Sequence, residues 1–72
     1  MAQLKFLGYL AEVAGGRSRE VALKEPTRLR EMLPQSFPEE NIIILIDDKA
    51  GTLESVIQNE NSVVLMPVIS GG

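Results

Sequence analysis

The sequence predicts an α+β domain in which a mixed sheet of four or five strands packs against one main helix. Three observations indicate it. Apolar and polar residues alternate near both ends of the chain, which is typical of strands. A run of five aliphatic residues between them favours a buried strand. An apolar pattern with helical spacing lies between the second strand and this run. One sheet with a helix across one face is the simplest way to bury these segments.

The first part of the chain predicts two strands joined by a short helical turn. Residues 3–8 alternate with the period of a strand. Residues 9–14 read as one helical turn, which Gly15 and Gly16 end. Residues 20–24 form the second strand, and the short connection predicts that it pairs antiparallel with the first.

The main helix is predicted next, after Thr27, a residue type that often caps helix N-termini. Leu29, Met32 and Leu33 are spaced three and four residues apart and would share one helical face. Pro34 ends this pattern, because proline interrupts helical hydrogen bonding. Phe37 is expected to enter the core from the following loop.

The remaining strands follow at residues 42–46 and 63–66. Between them, residues 47–51 are predicted as a turn, and Leu53 and Ile57 as core residues in an irregular segment. Residues 59–62 are a second turn, with Asn59 or Asn61 in any left-handed position. The first and last strands can lie side by side at the centre of the sheet, which is the arrangement of the β-grasp, or ubiquitin-like, fold.

The chain is expected to divide into a domain, residues 1–66, and a flexible Gly-Gly tail, residues 67–72. Pro67 has no backbone N–H and is expected to end strand pairing. The six residues from there to Gly71 and Gly72 could extend about 20 Å. Such an arm, without side chains at its tip, would fit a narrow channel in a partner protein.

Composition excludes several classes of function. The 72 residues include no cysteine and no histidine, which removes disulfides, thiolate nucleophiles and the commonest general base. No metal site is expected. The formal net charge of −3, with dispersed Lys and Arg, disfavours nucleic acid. No apolar stretch approaches the length of a membrane span, and no signal-peptide pattern is present, so a cytoplasmic location is expected.

Two segments resemble the small subunit of molybdopterin synthase, in the family of MoaD and ThiS sulfur carriers. Residues 5–15 resemble its opening strand, short helix and glycine, and residues 65–72 resemble its ending of apolar pair, proline, aliphatic residues, serine and Gly-Gly. Asp47 and Asp48 stand where the family has a turn. The resemblance covers nearly the whole chain and extends to archaeal small modifier proteins. It implies a β-grasp fold and a C-terminal reactive group.

The carboxylate of Gly72 is the predicted site of reaction, with Gly71 beside it. A terminal carboxylate is ionised at neutral pH and must be activated, usually as an acyl-adenylate. The sequence has no phosphate-binding loop of the GxxxxGK type, so a separate adenylating enzyme is implied and the chain is not expected to be an enzyme. In the family, this enzyme is of the ubiquitin-activating type and uses Mg-ATP, while the carrier binds no cofactor. Sulfur transfer then gives a thiocarboxylate.

A second predicted feature is an apolar surface on the sheet face away from the helix, at Leu7, Val64 and Met66, with Ile43 and Leu45 possible extensions. Residues predicted to contact partners are Leu7, Val64, Met66, Pro67, Val68, Ile69 and Ser70. The resemblance implies docking of the adenylating enzyme and of the synthase large subunit on this surface. The paired acids at 39–40 and 47–48 are expected to be solvated loop charges.

Three functions remain open at this point. The first is a sulfur carrier for molybdenum cofactor biosynthesis, with thiamine or tRNA thiolation as other destinations of the sulfur. The second is a protein modifier in which Gly72 forms an isopeptide with a target lysine. The third is an interaction domain whose tail is inert.

Overall fold

The computed structural model describes residues 1–68. In chain order, the elements are as follows: strand β1, Ala2–Phe6; helix α1, Leu10–Ala14; strands β2, Ser18–Val21, and β3, Thr27–Arg28; a 3₁₀ turn, Leu29–Met32; and strands β4, Ile42–Ile46, β5, Lys49–Gly51, β6, Val56–Ile57, and β7, Ser62–Pro67.

Five strands form one mixed sheet in the order β2-β1-β7-β4-β5, and β3 pairs with β6 in a small second sheet. The first and last strands lie side by side at the centre and run parallel. All other neighbours are antiparallel. The predicted fold class is therefore confirmed, including the central pair.

The core lies on one face of the five-stranded sheet. Leu4, Leu65 and Val63 from the central strands are almost fully buried, as are Leu10 of α1 and Leu29 of the 3₁₀ turn. Alternate residues of a strand point to opposite faces, so burial of one set leaves the other set outside. The alternation predicted from the sequence is thus the pattern of burial that the structure shows.

Phe37 enters this core from the loop before β4, as predicted. Its ring contacts that of Phe6 edge-on, with the centroids 5.9 Å apart. Ile57 is also fully buried, whereas Leu53 packs at the margin of the core.

The helices differ from the prediction in position. The segment predicted as the main helix is only the 3₁₀ turn, and the single α-helix of the described residues is the short one, Leu10–Ala14. Gly15 explains why the short helix is stable. It has a φ of 84°, and the Gly15 and Gly16 amides donate to the carbonyls of Glu12 and Ala11. This pair of bonds is the Schellman motif, which satisfies carbonyls at a helix end.

Strand β5 was predicted to be part of a turn. The turn is confined to Asp47 and Asp48, and Lys49 already pairs with Ile46. Both aspartates have positive φ, 50° and 68°, which is the geometry of a two-residue type I′ hairpin. Neither Asn59 nor Asn61 has a left-handed backbone, contrary to the prediction. Among the described residues other than glycine, the left-handed backbone occurs at Asn41, Asp47 and Asp48.

Candidate functional site: the outer sheet face and the end of β7

The outer face of the sheet, opposite the core, carries an apolar surface at one end. Leu7, Ile43 and Val68 are 46%, 42% and 45% exposed, although all three are large aliphatic residues. Half-buried aliphatic residues fill the space between them. We call this set the apolar surface; its members are Leu7, Ile43, Leu45, Val64, Met66 and Val68.

Strand register brings these residues together. Met66 of β7 is paired with Ile43 of β4, and Val64 with Leu45. On the other side of β7, the Leu7 amide donates to the Leu65 carbonyl over 2.9 Å, which places Leu7 beside Met66. Paired residues of neighbouring strands share a face, so the six side chains form one continuous patch.

The opposite end of the same face is polar. Lys5 lies next to Val64 and marks the boundary between the two halves. Gln3, Glu20 and Ser62 continue the polar half, because Gln3 pairs with both of the others. The apolar half is therefore the one nearer the C-terminal end of β7.

Strand pairing does not end at Pro67, contrary to the prediction. Pro67 belongs to β7 and stands opposite Ile42, and the Val68 amide donates to the Asn41 carbonyl over 2.9 Å. Backbone amides of a strand alternate between its two neighbours. Since the Val68 amide points to β4, an amide at position 67 would point to β1. Pairing with β4 therefore does not need the N–H that proline lacks.

On the β1 side, the acceptor that would face position 67 is already used. The Leu7 carbonyl accepts the Leu10 amide over 3.2 Å at the start of α1. In this parallel register, the same carbonyl would be the partner of an amide at position 67. Proline at this position therefore leaves no donor unpaired.

The predicted site residues fall into two groups. Leu7, Val64, Met66, Pro67 and Val68 lie together at the end of β7 and on the outer face. Their role as partner contacts stays a prediction. The others, Ile69, Ser70, Gly71 and Gly72, lie outside the described residues.

One residue of each predicted acidic pair, Asp47 and Glu39, has a side-chain partner. Asp47 accepts hydrogen bonds from the Ser62 amide, over 3.0 Å, and from the Asn61 side chain. It therefore fastens the β4–β5 turn to the start of β7. Glu39 pairs with Arg30, an ion pair that the sequence analysis did not predict.

Arg30 also binds Glu54, with 2.7 Å between the guanidinium and carboxylate atoms. Hydrogen bonds from Arg30 to Glu39 and Glu54 raise the pKa of Arg30 above its ordinary value. The side chains are about half exposed, so such pairs contribute little to stability. A cavity of about 300 Å³ lies beside Arg30, Leu33 and Phe37. Arg30, which lines this cavity, already forms ion pairs with the carboxylates of Glu39 and Glu54.

Among residues 1–68, no group of three or more carboxylate, histidine or cysteine side chains is arranged to hold a metal ion. In the same part of the chain, no helix has the length and apolar character needed to traverse a membrane.

Comparison with solved structures shows the same architecture elsewhere. SAMP1 from Haloferax volcanii superposes with a TM-score of 0.73 at 21% identity, over 99% of this chain and 98% of that chain. Subunit 1 of a molybdopterin converting factor from Pyrococcus furiosus gives 0.68 at 14% identity, over 94% and 97% of the two chains. The fold is the β-grasp.

The two β-grasp structures come from the groups that the sequence resembles, archaeal modifiers and MoaD-like proteins. Their low sequence identity makes this a likeness of fold. No protein-family model and no curated protein sequence matches the chain.

Proposed function

We propose that this β-grasp protein is a sulfur carrier of the molybdopterin synthase small-subunit type, with the Gly72 carboxylate as its reactive group. One observation carries the proposal: β7 ends beside an exposed apolar surface, so a partner docked on that surface would lie close to the segment that follows Val68. The likeness to a molybdopterin converting factor subunit supports this choice.

The apolar surface supplies the docking contacts in this proposal. Exposed aliphatic side chains gain free energy when a partner removes them from water. Leu7, Ile43 and Val68 are the most exposed members and would contribute most to that gain. The adenylating enzyme and the synthase large subunit are the proposed partners.

The reaction takes place in the partners. The Gly72 carboxylate attacks the α-phosphorus of Mg-ATP bound to the adenylating enzyme, and pyrophosphate leaves. Hydrosulfide from the sulfur donor then attacks the acyl carbon and displaces AMP, which leaves a thiocarboxylate and releases a proton. In this proposal the partners supply the acids and bases for these steps; the chain has no histidine, the commonest general base, and no cysteine. ATP and magnesium are cofactors of the partner.

The test is intact mass spectrometry after incubation with a ubiquitin-activating-type enzyme, Mg-ATP and a sulfur donor. We expect the mass increase of one oxygen replaced by sulfur, confined to a fragment that contains Gly72. A variant lacking Gly71 and Gly72 is the control and should show no increase. Absence of adenylation in the intact protein, measured as ATP–pyrophosphate exchange, would contradict the proposal. The same mass measurement on protein from its host establishes whether Gly72 is the working carboxyl terminus.

The second candidate is a protein modifier, which the likeness to SAMP1 favours. In this case, Gly72 would form an isopeptide with a lysine of a target protein. The last basic residue is Lys49, so trypsin would leave a long remnant on the target; cleavage after Glu60 leaves only residues 61–72. Detection of this remnant on lysines would establish conjugation.

An inert tail is the alternative to both. It predicts that deletion of Gly71 and Gly72 changes neither partner binding nor activity. For a carrier, capture of a synthase large subunit would favour the pterin route, and capture of a thiazole synthase would favour thiamine synthesis.

A further inference from the structure

Gly8 makes an unusually close approach to the end of β7. It lies between β1 and α1 with a φ of 59°. A Cβ atom added to it would lie 3.0 Å from Cγ and 3.4 Å from Cδ of Pro67. The first of these distances is shorter than an ordinary carbon–carbon contact, so the proline ring would have to yield by a few tenths of an ångström to admit a methyl group.

Pro67 is constrained from both neighbouring strands. On the β4 side, it stands opposite Ile42, and the next amide, Val68, is bonded to the Asn41 carbonyl. On the β1 side, its ring faces the bare backbone of Gly8. The backbone of Pro67 is therefore paired with β4, while its ring lies against Gly8.

We propose that Gly8 is a positioning residue: its bare backbone lets the Pro67 ring lie close against it, and this close approach keeps Pro67 and Val68 in place beside β4. The consequence for adenylation rests on the proposed function of Gly72. Four residues separate Val68 from the end of the sequence, a reach of about 13 Å when extended. These residues start from Val68, so a displacement of Pro67 and Val68 on the docked protein changes where the carboxylate can reach in a partner's active site.

Gly15 provides a control, because it shares the positive φ of Gly8 without the contact. Its φ is 84°, and an added Cβ would meet nothing within 4 Å. Alanine at either position carries the strain of a left-handed backbone. Only alanine at position 8 also presses on Pro67.

The experiment compares Gly8→Ala, Gly15→Ala, Pro67→Ala and the double variant Gly8→Ala/Pro67→Ala. The first readout is the Val68 amide, by NMR chemical shift and hydrogen exchange. We expect Gly8→Ala to shift this resonance and speed its exchange beyond the effect of Gly15→Ala. In the Pro67→Ala background, the added effect of Gly8→Ala should shrink, since Cγ and Cδ of the ring are gone.

The second readout is adenylation. We expect Gly8→Ala to lower kcat by about tenfold or more relative to Gly15→Ala. The dissociation constant of the enzyme for the folded protein, measured without ATP, should stay within about twofold, because the apolar surface is intact. A rise in the dissociation constant with unchanged kcat would instead mean that Gly8 serves docking and would overturn the inference.

Equal effects of Gly8→Ala and Gly15→Ala on the Val68 amide would also overturn it, as would an unchanged effect of Gly8→Ala in the Pro67→Ala background. If the wild-type protein is not adenylated at all, the proposed function fails, and the Val68 amide still decides the role of Gly8. If Gly8→Ala does not fold, Pro67→Ala alone decides: removing the ring should speed Val68 amide exchange, and unchanged exchange contradicts the inference.

Discussion

Asp47 shows how much one exposed side chain can fix in a small sheet. Its backbone amide donates to the Ser62 carbonyl over 2.8 Å, and its carboxylate accepts the Ser62 amide in return. The Asn61 side chain donates to the second carboxylate oxygen. The β4–β5 turn and the start of β7 are therefore held together through one residue.

We expect Asp47→Ala to destabilise the protein by about 1 kcal/mol more than Asp48→Ala. Both residues have positive φ, so alanine brings similar backbone strain at either position. Only Asp47 has the described side-chain bonds to β7. Urea unfolding of the two variants measures the difference, and equal midpoints and slopes would show that these bonds contribute nothing.

At the same scale, the sequence predicted some residues well and missed others. Phe37 lies in the core, as the sequence predicts, and enters it from the loop before β4. Asp47 is exposed, as predicted, but its hydrogen bonds were missed, because Asn61 and Ser62 are distant in sequence and meet it only in the folded sheet. The close approach of Gly8 to Pro67 likewise depends on the parallel pairing of β1 with β7.

At the scale of elements, prediction succeeded where pattern and length agreed. Five consecutive aliphatic residues placed β4 at its observed bounds, Ile42–Ile46. The predicted main helix failed because its apolar pattern, Leu29 to Leu33, covers a single turn before Pro34. A segment that short gains few α-helical hydrogen bonds, and the 3₁₀ form is common at this length. Strand β5 was missed because its turn has Asp-Asp rather than the usual Asn-Gly or Asp-Gly signal.

The outer sheet face provides a test of the proposed docking. We expect Leu7→Asp to weaken binding to the adenylating enzyme by about tenfold or more, because it places a charge within the apolar surface. Leu7 is already half exposed, so the free energy of unfolding should change by only about 1 kcal/mol. Affinity is measured by titration calorimetry.

Gln3→Asp is the matched control for that variant. Gln3 lies on the same face as Leu7, four positions earlier and within the polar half. The Gln3→Asp variant should bind the adenylating enzyme with the same affinity as the wild-type protein. If both substitutions weaken binding equally, the partner recognises the net charge of the protein rather than the apolar surface.

For the whole molecule, we expect the free energy of unfolding to be nearly constant between pH 6 and 8. The sequence has no histidine and no cysteine, the side chains that most often change charge near neutrality. Arg30 has a raised pKa, so its contribution is fully present below the ordinary arginine value and is lost only as the pH rises above that range. Urea titrations across this interval check the expectation; a change of more than about 1 kcal/mol would contradict it.

The two outermost strands of the five-stranded sheet affect whether the protein associates with itself at high concentration. Strand β2 spans four residues and carries Arg19 and Glu20, while β5 spans three and begins with Lys49. Short, charged margins discourage backbone pairing with a second molecule. We therefore expect the protein to expose its apolar surface without pairing edge to edge into fibrils.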